Sequence, residues 1–183
     1  MNSLPAHYFS SDLHLGHENV LRHDGRPFPD IATHDRVLAE RCRPDAEDAK
    51  RHPQLWLLGD IGHKARDVEV FMEAIRPYWA KIHLIRGNHD DRAAWKLRHL
   101  FDSANEALYL RISPEVRLYL SHYACRTWRN SHHGSIHLHG HSHGALPRLG
   151  KSMDVGVMLN CFYPFNLSYI VSEMKNCPDT PHH

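Results

Sequence analysis

Val68, Phe71, Met72, Ile75 and Trp79 recur at helical spacing between two short β-rich runs, at 54–58 and at Lys81–Ile85. Charged Arg66, Asp67, Glu69 and Glu73 fill the opposite face, the pattern of a helix laid on a sheet, with Pro77 as its stop. A further run at 7–11 and helical spacing at 32–42 and 91–101 extend this into strand-helix-strand repeats. In the last of these segments Ala94, Leu97, Leu100 and Phe101 form the apolar stripe. Beyond it the segments 107–112, 116–121, 135–139, 153–157 and 167–171 read as strands, with Ser113, Pro114 and Glu115 as a hairpin turn. The chain is therefore read as α/β, with two packed sheets flanked by helices. Its 183 residues suit one domain, 1–183, with no repeat or linker to divide it.

Composition narrows the function classes. At 42% hydrophobic and 23% charged residues, disorder, collagen and coiled coil are excluded. Lys plus Arg number 22 against 21 Asp plus Glu, so bulk charge gives no reason to expect long nucleic acid or an anionic membrane as partner. Cys42, Cys125, Cys161 and Cys177 form no C-x-x-C pair and are read as reduced thiols. The first five residues do not begin a signal peptide, and no apolar run is long enough to span a membrane. The expectation is a soluble, cytoplasmic protein. The polar tail at 175–183, with its closing His182 and His183, is left out of the site. Histidine is the anomaly: 19 of them point to metal or acid-base chemistry.

Short clusters follow the apolar runs: Ser11-Asp12-Leu13-His14, Gly59-Asp60, Gly87-Asn88-His89-Asp90, Ser121-His122-Tyr123 and Gly140-His141-Ser142-His143-Gly144. Open α/β sheets place their sites at strand carboxyl ends. In extended or turning backbone, residues i and i+2 point the same way, so Asp12 with His14, and His141 with His143, can each present two donors to one place. Mixed carboxylate and imidazole suits manganese, iron or zinc, whereas calcium prefers oxygen alone. The neighbouring glycines let the backbone turn sharply there.

These blocks, in this order from residue 12 to 143, resemble those of the calcineurin-like metallophosphoesterases. The wording Phe9-Ser10-Ser11-Asp12-Leu13-His14-Leu15-Gly16-His17-Glu18-Asn19, with Met153-Asp154-Val155-Gly156-Val157, further resembles a small single-domain prokaryotic and phage branch. The resemblance implies a four-layer α-β-β-α sandwich with two mixed sheets. It implies two divalent ions (Mn, Fe or Zn) bridged by Asp60, one completed by Asp12, His14 and His143, the other by Asn88, His122 and His141. It implies hydrolysis of a P–O bond by a hydroxide bridging the ions, with His89 protonating the leaving alkoxide. Asp90 is read either as orienting that imidazole or as an exposed loop carboxylate.

Other residues keep two readings. His17 and His63 are phosphate contacts or ordinary loop histidines, and Arg86 is a fork donor to phosphate or a surface residue. His132, His133, His137 and His139 are a metal-rich tract or, since His137 and His139 alternate with Ile136 and Leu138, part of a strand with one polar face. Arg126, Trp128 and Arg129 line a nucleotide pocket, or Trp128 is partial core. The expected substrate is a small phosphodiester or nucleotide, with a nucleic-acid end admitted and no membrane partner. The Asp-Arg-Gly that follows Gly-Asp in protein serine/threonine phosphatases is missing after Gly59-Asp60, which counts against a protein phosphatase. A phosphomonoesterase, or a scaffold or metal-binding protein that keeps the fold without catalysis, are the alternatives.

Overall fold

The structure, a computed structural model, describes residues 5–179; His182, His183 and the first four residues lie outside the described residues. In chain order the strands are β1 (His7–Ser10), β2 (Gln54–Leu57), β3 (Lys81–Ile85), β4 (Ser103–Asn105), β5 (Ala107–Arg111), β6 (Arg117–Ser121), β7 (Ile136–His139), β8 (Ser152–Asp154) and β9 (Phe165–Asn166). The α-helices are α1 (Glu18–His23), α2 (Ile31–Arg41), α3 (Ala65–Ile75) and α4 (Leu167–Met174). One sheet runs β4-β3-β2-β1-β9 and the other β5-β6-β7-β8. Both are mixed: β9 is antiparallel to β1 in the first, and β5 is antiparallel to β6 in the second.

Period-two alternation decides where the core sits. On β2, Leu55 and Leu57 face one way and join Val68, Phe71, Met72 and Ile75 of α3 and Leu38 of α2. Trp56 and the following Leu58 face the other way and meet Leu118, Leu120 and Leu138 of the second sheet. The first sheet is thus buried on both faces, as its nearly continuous apolar strands require. Each fully buried leucine contributes about 1.5–3 kcal/mol, so Leu57→Ala is expected to cost about 2–5 kcal/mol once the cavity is included.

α3 ends at Ile75, and Pro77 lies in the 3-10 turn Arg76–Tyr78, which carries Trp79 back under the sheet with its Nε1 donating to the Cys42 carbonyl at 3.1 Å. The single helix expected at 91–101 is instead two 3-10 turns, Asp90–Arg92 and Arg98–Leu100. Ala94, Leu97 and Phe101 are buried all the same, so the stripe reported burial and not helical winding. The strand expected at 167–171 is helix α4: the Asn166 side chain caps it by accepting from the Tyr169 N–H at 2.8 Å, and Ile170 and Met174 bury one face. His137 and His139 do lie on one face of β7, but all four residues of that strand are buried. His137 accepts from the Cys125 N–H at 3.0 Å and packs against Trp128, itself buried, so this polar face is closed over. No helix among the described residues is long and apolar enough to cross a membrane.

Candidate metal centre

β1, β2 and β3 lie side by side and parallel, so the turns leaving their carboxyl ends meet at one rim. An isolated bridge between Ser11 and Gly156 ties the turn after β1 to the turn after β8, which brings the second sheet to the same rim. The path is a strained one. Asp12, His14, Asp60, His141 and His143 all have left-handed φ, between 47° and 65°. Each such residue costs on the order of 1–3 kcal/mol, and strain of this kind collects at functional sites. Two glycines permit the close packing: a Cβ on Gly87 would strike Asp60, and one on Gly140 would strike Ser11 and Asp12.

Two triads of potential donors result, Asp12 with His14 and His143, and Asp60 with His122 and His141. In each the donor atoms lie within 4.8 Å of one another, so each could hold a metal ion. In the first, His143 Nε2 is 3.6 Å from Asp12 Oδ1 and 3.4 Å from His14 Nε2. In the second, His122 Nε2 is 3.4 Å from Asp60 Oδ2 and 3.1 Å from Asn88 Oδ1. The same Asp60 oxygen stands 3.8 Å from His14 Nε2, so it faces both triads. All seven residues expected to hold ions are therefore gathered at one rim. The His122 ring is fixed by donating from Nδ1 to the Leu58 carbonyl at 2.8 Å, which leaves Nε2 for the centre.

The electrostatics are those of a centre short of positive charge. Asp12 and Asp60 are buried, and among the described residues no lysine or arginine donates to either carboxylate. Burial pushes the Asp12 carboxyl up to about 6, against the pull of His143 and His122. Burial likewise draws His14 down to about 3, with Asp60 opposing it. For His122 burial works downward, but the bond to Asp60 prevails and raises it to about 9. Two buried carboxylates and several imidazoles in one place are a donor set that divalent cations satisfy, and the residues present fit such ions.

The remaining candidates divide. His89 is half-exposed at the rim, with Nε2 4.0 Å from Asp60 Oδ2, and its N–H donates to Asp60 Oδ1 at 2.9 Å. His17 packs 5.9 Å from the His14 ring and 5.1 Å from His63, continuing the row of imidazoles outward. Arg86 pairs with Asp91 and Glu106 and lies over Trp95, so its charge is already met. Asp90 fits neither of its expected roles. It is fully buried and accepts from the N–H groups of Asp60, Ile61 and Gly87 at 3.1, 2.9 and 2.7 Å, because three inward-facing amides of the converging turns need an acceptor. Asp154 does similar work for the 141–144 turn, accepting from Ser142 Oγ at 2.7 Å and the Gly144 N–H at 2.8 Å. The sequence reading assigned it no role, and no spacing signals one. Exposed Tyr123, also unassigned, packs edge-on against His122 and His141 with centroids 5.2 and 4.7 Å away.

No protein-family model matches the chain. The chain is 31% identical over 167 residues to the Gene 66 protein of Mycobacterium phage D29, covering 77% of this chain and 80% of the phage protein. The chain belongs to the Gene 66 protein family. The fold of this Gene 66 relative is similar to that of a protein of unknown function from Aquifex aeolicus, with a TM-score of 0.70 at 21% identity, covering 92% of this chain and 98% of the other. Phosphopantetheinyl hydrolase from Mycobacterium tuberculosis aligns at a TM-score of 0.42 and 16% identity, over 67% of this chain and 44% of that enzyme, a likeness too low to bear on function.

Proposed function

We propose that this Gene 66 relative is a metal-dependent phosphoric ester hydrolase of the metallophosphoesterase kind, acting as one domain on small phosphodiesters or nucleotides. The observation that carries the reading is the Asp60 carboxylate, buried and facing both triads, within 3.4 Å of His122 Nε2 and 3.8 Å of His14 Nε2. Asp12, His14 and His143 would hold one divalent cation, and Asn88, His122 and His141 a second, with Asp60 shared. Manganese, iron and zinc all suit these donors. Such a pair of ions would supply Lewis acidity, which polarises phosphoryl oxygens and lowers the pKa of water.

The chain's own part is positioning and proton transfer. The turns present their donors on a strained backbone tied by the Asp90 and Asp154 carboxylates, so little reorganisation remains when a phosphoryl group enters. His89 is exposed on the rim and anchored through its backbone to Asp60, which suits Nε2 to hand a proton to the departing oxygen. His17, with His63 beside it, extends the rim where a substrate phosphate would rest. The four free thiols are in keeping with a reducing cytoplasm. The test is to strip the protein of metal, restore manganese, magnesium, zinc or iron, and assay aromatic phosphomonoesters and phosphodiesters. Turnover that needs metal and disappears in Asn88→Ala and His122→Ala is expected. Turnover without metal, or none on any ester while two ions are bound, would overturn the reading.

A further inference from the structure

Arg26 is only 4% exposed, and its guanidinium cannot shed its charge. All its nitrogens are engaged. Nε and Nη2 donate to Asp24 Oδ2 at 3.2 and 2.9 Å, and Nη2 also donates to the Asp12 carbonyl at 2.8 Å. Nη1 donates to the Leu13 carbonyl at 2.9 Å and to His34 Nε2 at 2.9 Å. A guanidinium only donates, so His34 Nε2 accepts and the His34 proton sits on Nδ1, where it meets Asp35 Oδ1 at 2.7 Å. The other Asp35 oxygen accepts from the Gly16 N–H at 2.9 Å. The strained turn from Asp12 to Gly16 is thus tied at both ends to α2.

The same Asp24 oxygen receives His143 Nδ1 at 2.8 Å. That oxygen also forms the ion pair with buried Arg26 at 2.9 Å, so the carboxylate is met as an anion. An ionised carboxylate accepts only, so the His143 proton is on Nδ1 and the bare Nε2 faces Asp12 and His14. Among the described residues the other triad has no such brace: His122 Nδ1 meets the uncharged Leu58 carbonyl.

We propose that Asp24 and Arg26 are positioning residues for the Asp12, His14 and His143 triad alone: Asp24 fixes the tautomer and direction of the His143 ring, and Arg26 locks Asp24 to the Asp12–Leu13 backbone. The inference rests on the metal-binding reading above. Carboxylates that orient a ligating histidine change metal affinity by about 10–100-fold.

The experiment titrates manganese(II) into the metal-free full chain by calorimetry. The wild type is expected to show two binding events. Asp24→Ala weakens one by about 10–100-fold and leaves the other within about twofold. Asp24→Asn, which keeps an oxygen in place, recovers most of that loss. A second readout needs no metal: long-range proton–nitrogen spectra at a pH about two units above the ordinary imidazole value show His143 as the Nδ1–H tautomer in the wild type and as a mixture in Asp24→Ala. Unchanged binding and an unchanged tautomer in Asp24→Ala overturn the inference. So does equal weakening of both events, which would mark the pair as a general structural brace. A wild type that binds no manganese would remove the metal reading, while the His143 tautomer still decides whether Asp24 orients that ring. Arg26→Lys is expected to reproduce the selective weakening, and the two Asp24 variants decide the matter if it fails to fold.

Discussion

The two triads meet at one carboxylate but are held in place by different means. Around Asp12, His14 and His143 the brace is made of side chains, with Arg26 at its centre and Asp24, His34 and Asp35 about it. Around Asp60, His122 and His141 it relies on main chain: His122 leans on the Leu58 carbonyl, and Asp90 gathers three backbone amides. A side-chain brace can be removed one residue at a time at positions remote in sequence. A backbone brace is written into the turns themselves, so a substitution there disturbs the fold together with the site.

The most disruptive test is at the residue common to both halves. Asp60→Asn is expected to remove roughly 10³-fold or more of any phosphoesterase rate, since metal ions supply several kcal/mol of charge stabilisation, and to reduce the bound metal measured by elemental analysis. Retention of two tightly held ions in this variant would show that the halves are independent. Next in size is His89→Gln, which touches neither brace. Turnover of esters with poor leaving groups is expected to fall by about 10²–10⁴-fold, while nitrophenyl esters lose far less and metal content is unchanged. An equal loss on both kinds of ester would remove His89 as proton donor.

Asp90 tests the backbone-braced half by stability. An asparagine at this position keeps one acceptor oxygen and points an amide at donors, leaving at least one buried N–H unpaired at a cost of about 1–3 kcal/mol. Asp90→Asn is therefore expected to lower the unfolding free energy of the metal-free chain by that amount, seen as a lower denaturant midpoint. An unchanged midpoint would mean that the three amides find other partners.

Acid provides a background for these comparisons, because buried histidines outside both triads respond to it as well. Burial lowers His7, His83 and His137 to about 4 each. Between that value and the unfolded imidazole value near 6.5, the unfolded chain binds more protons than the folded one. Stability is then fully present above the upper limit and is lost as pH falls through the window. Urea unfolding of metal-free protein at several pH values should show this decline, and Trp56, stacked 3.9 Å from His83, offers a local fluorescence signal. A flat profile across the window would contradict the neutral burial of these rings.

Much of this was legible in the sequence, and unevenly so. β3 could be read to the residue because its apolar run is bounded by a proline-terminated helix and a Gly-Asn-His cluster. Of the seven gathered donors, Asp12 with His14 and His141 with His143 were legible from i and i+2 spacing after a strand, whereas Asp60, Asn88 and His122 rested on the resemblance to the metallophosphoesterases. The brace was not legible. Asp24, Arg26, His34 and Asp35 are ordinary polar residues of a turn and a helix face, and a guanidinium reveals its burial only when the chain closes over it. The helix α4 was misread because Leu167, Tyr169 and Val171 alternate with other residues as a strand would, while the Asn166 cap and the Ile170 to Met174 spacing decided otherwise.

The smallest expected effect concerns Arg86, a candidate whose surroundings argue against a part in the site. Its guanidinium is shared between Asp91 and Glu106 and lies 4.8 Å from the centre of the Trp95 ring, so reaching a substrate phosphate would mean breaking two ion pairs and a ring contact. Both partners are exposed, and such surface pairs, screened by water, contribute little to stability. Arg86→Ala should accordingly leave the rate within about twofold and the denaturant midpoint unchanged. A loss of tenfold or more in kcat/KM at unchanged stability would return Arg86 to the substrate side. It would also make the backbone-braced half the one that grips phosphate, since Arg86 immediately precedes Gly87 and Asn88.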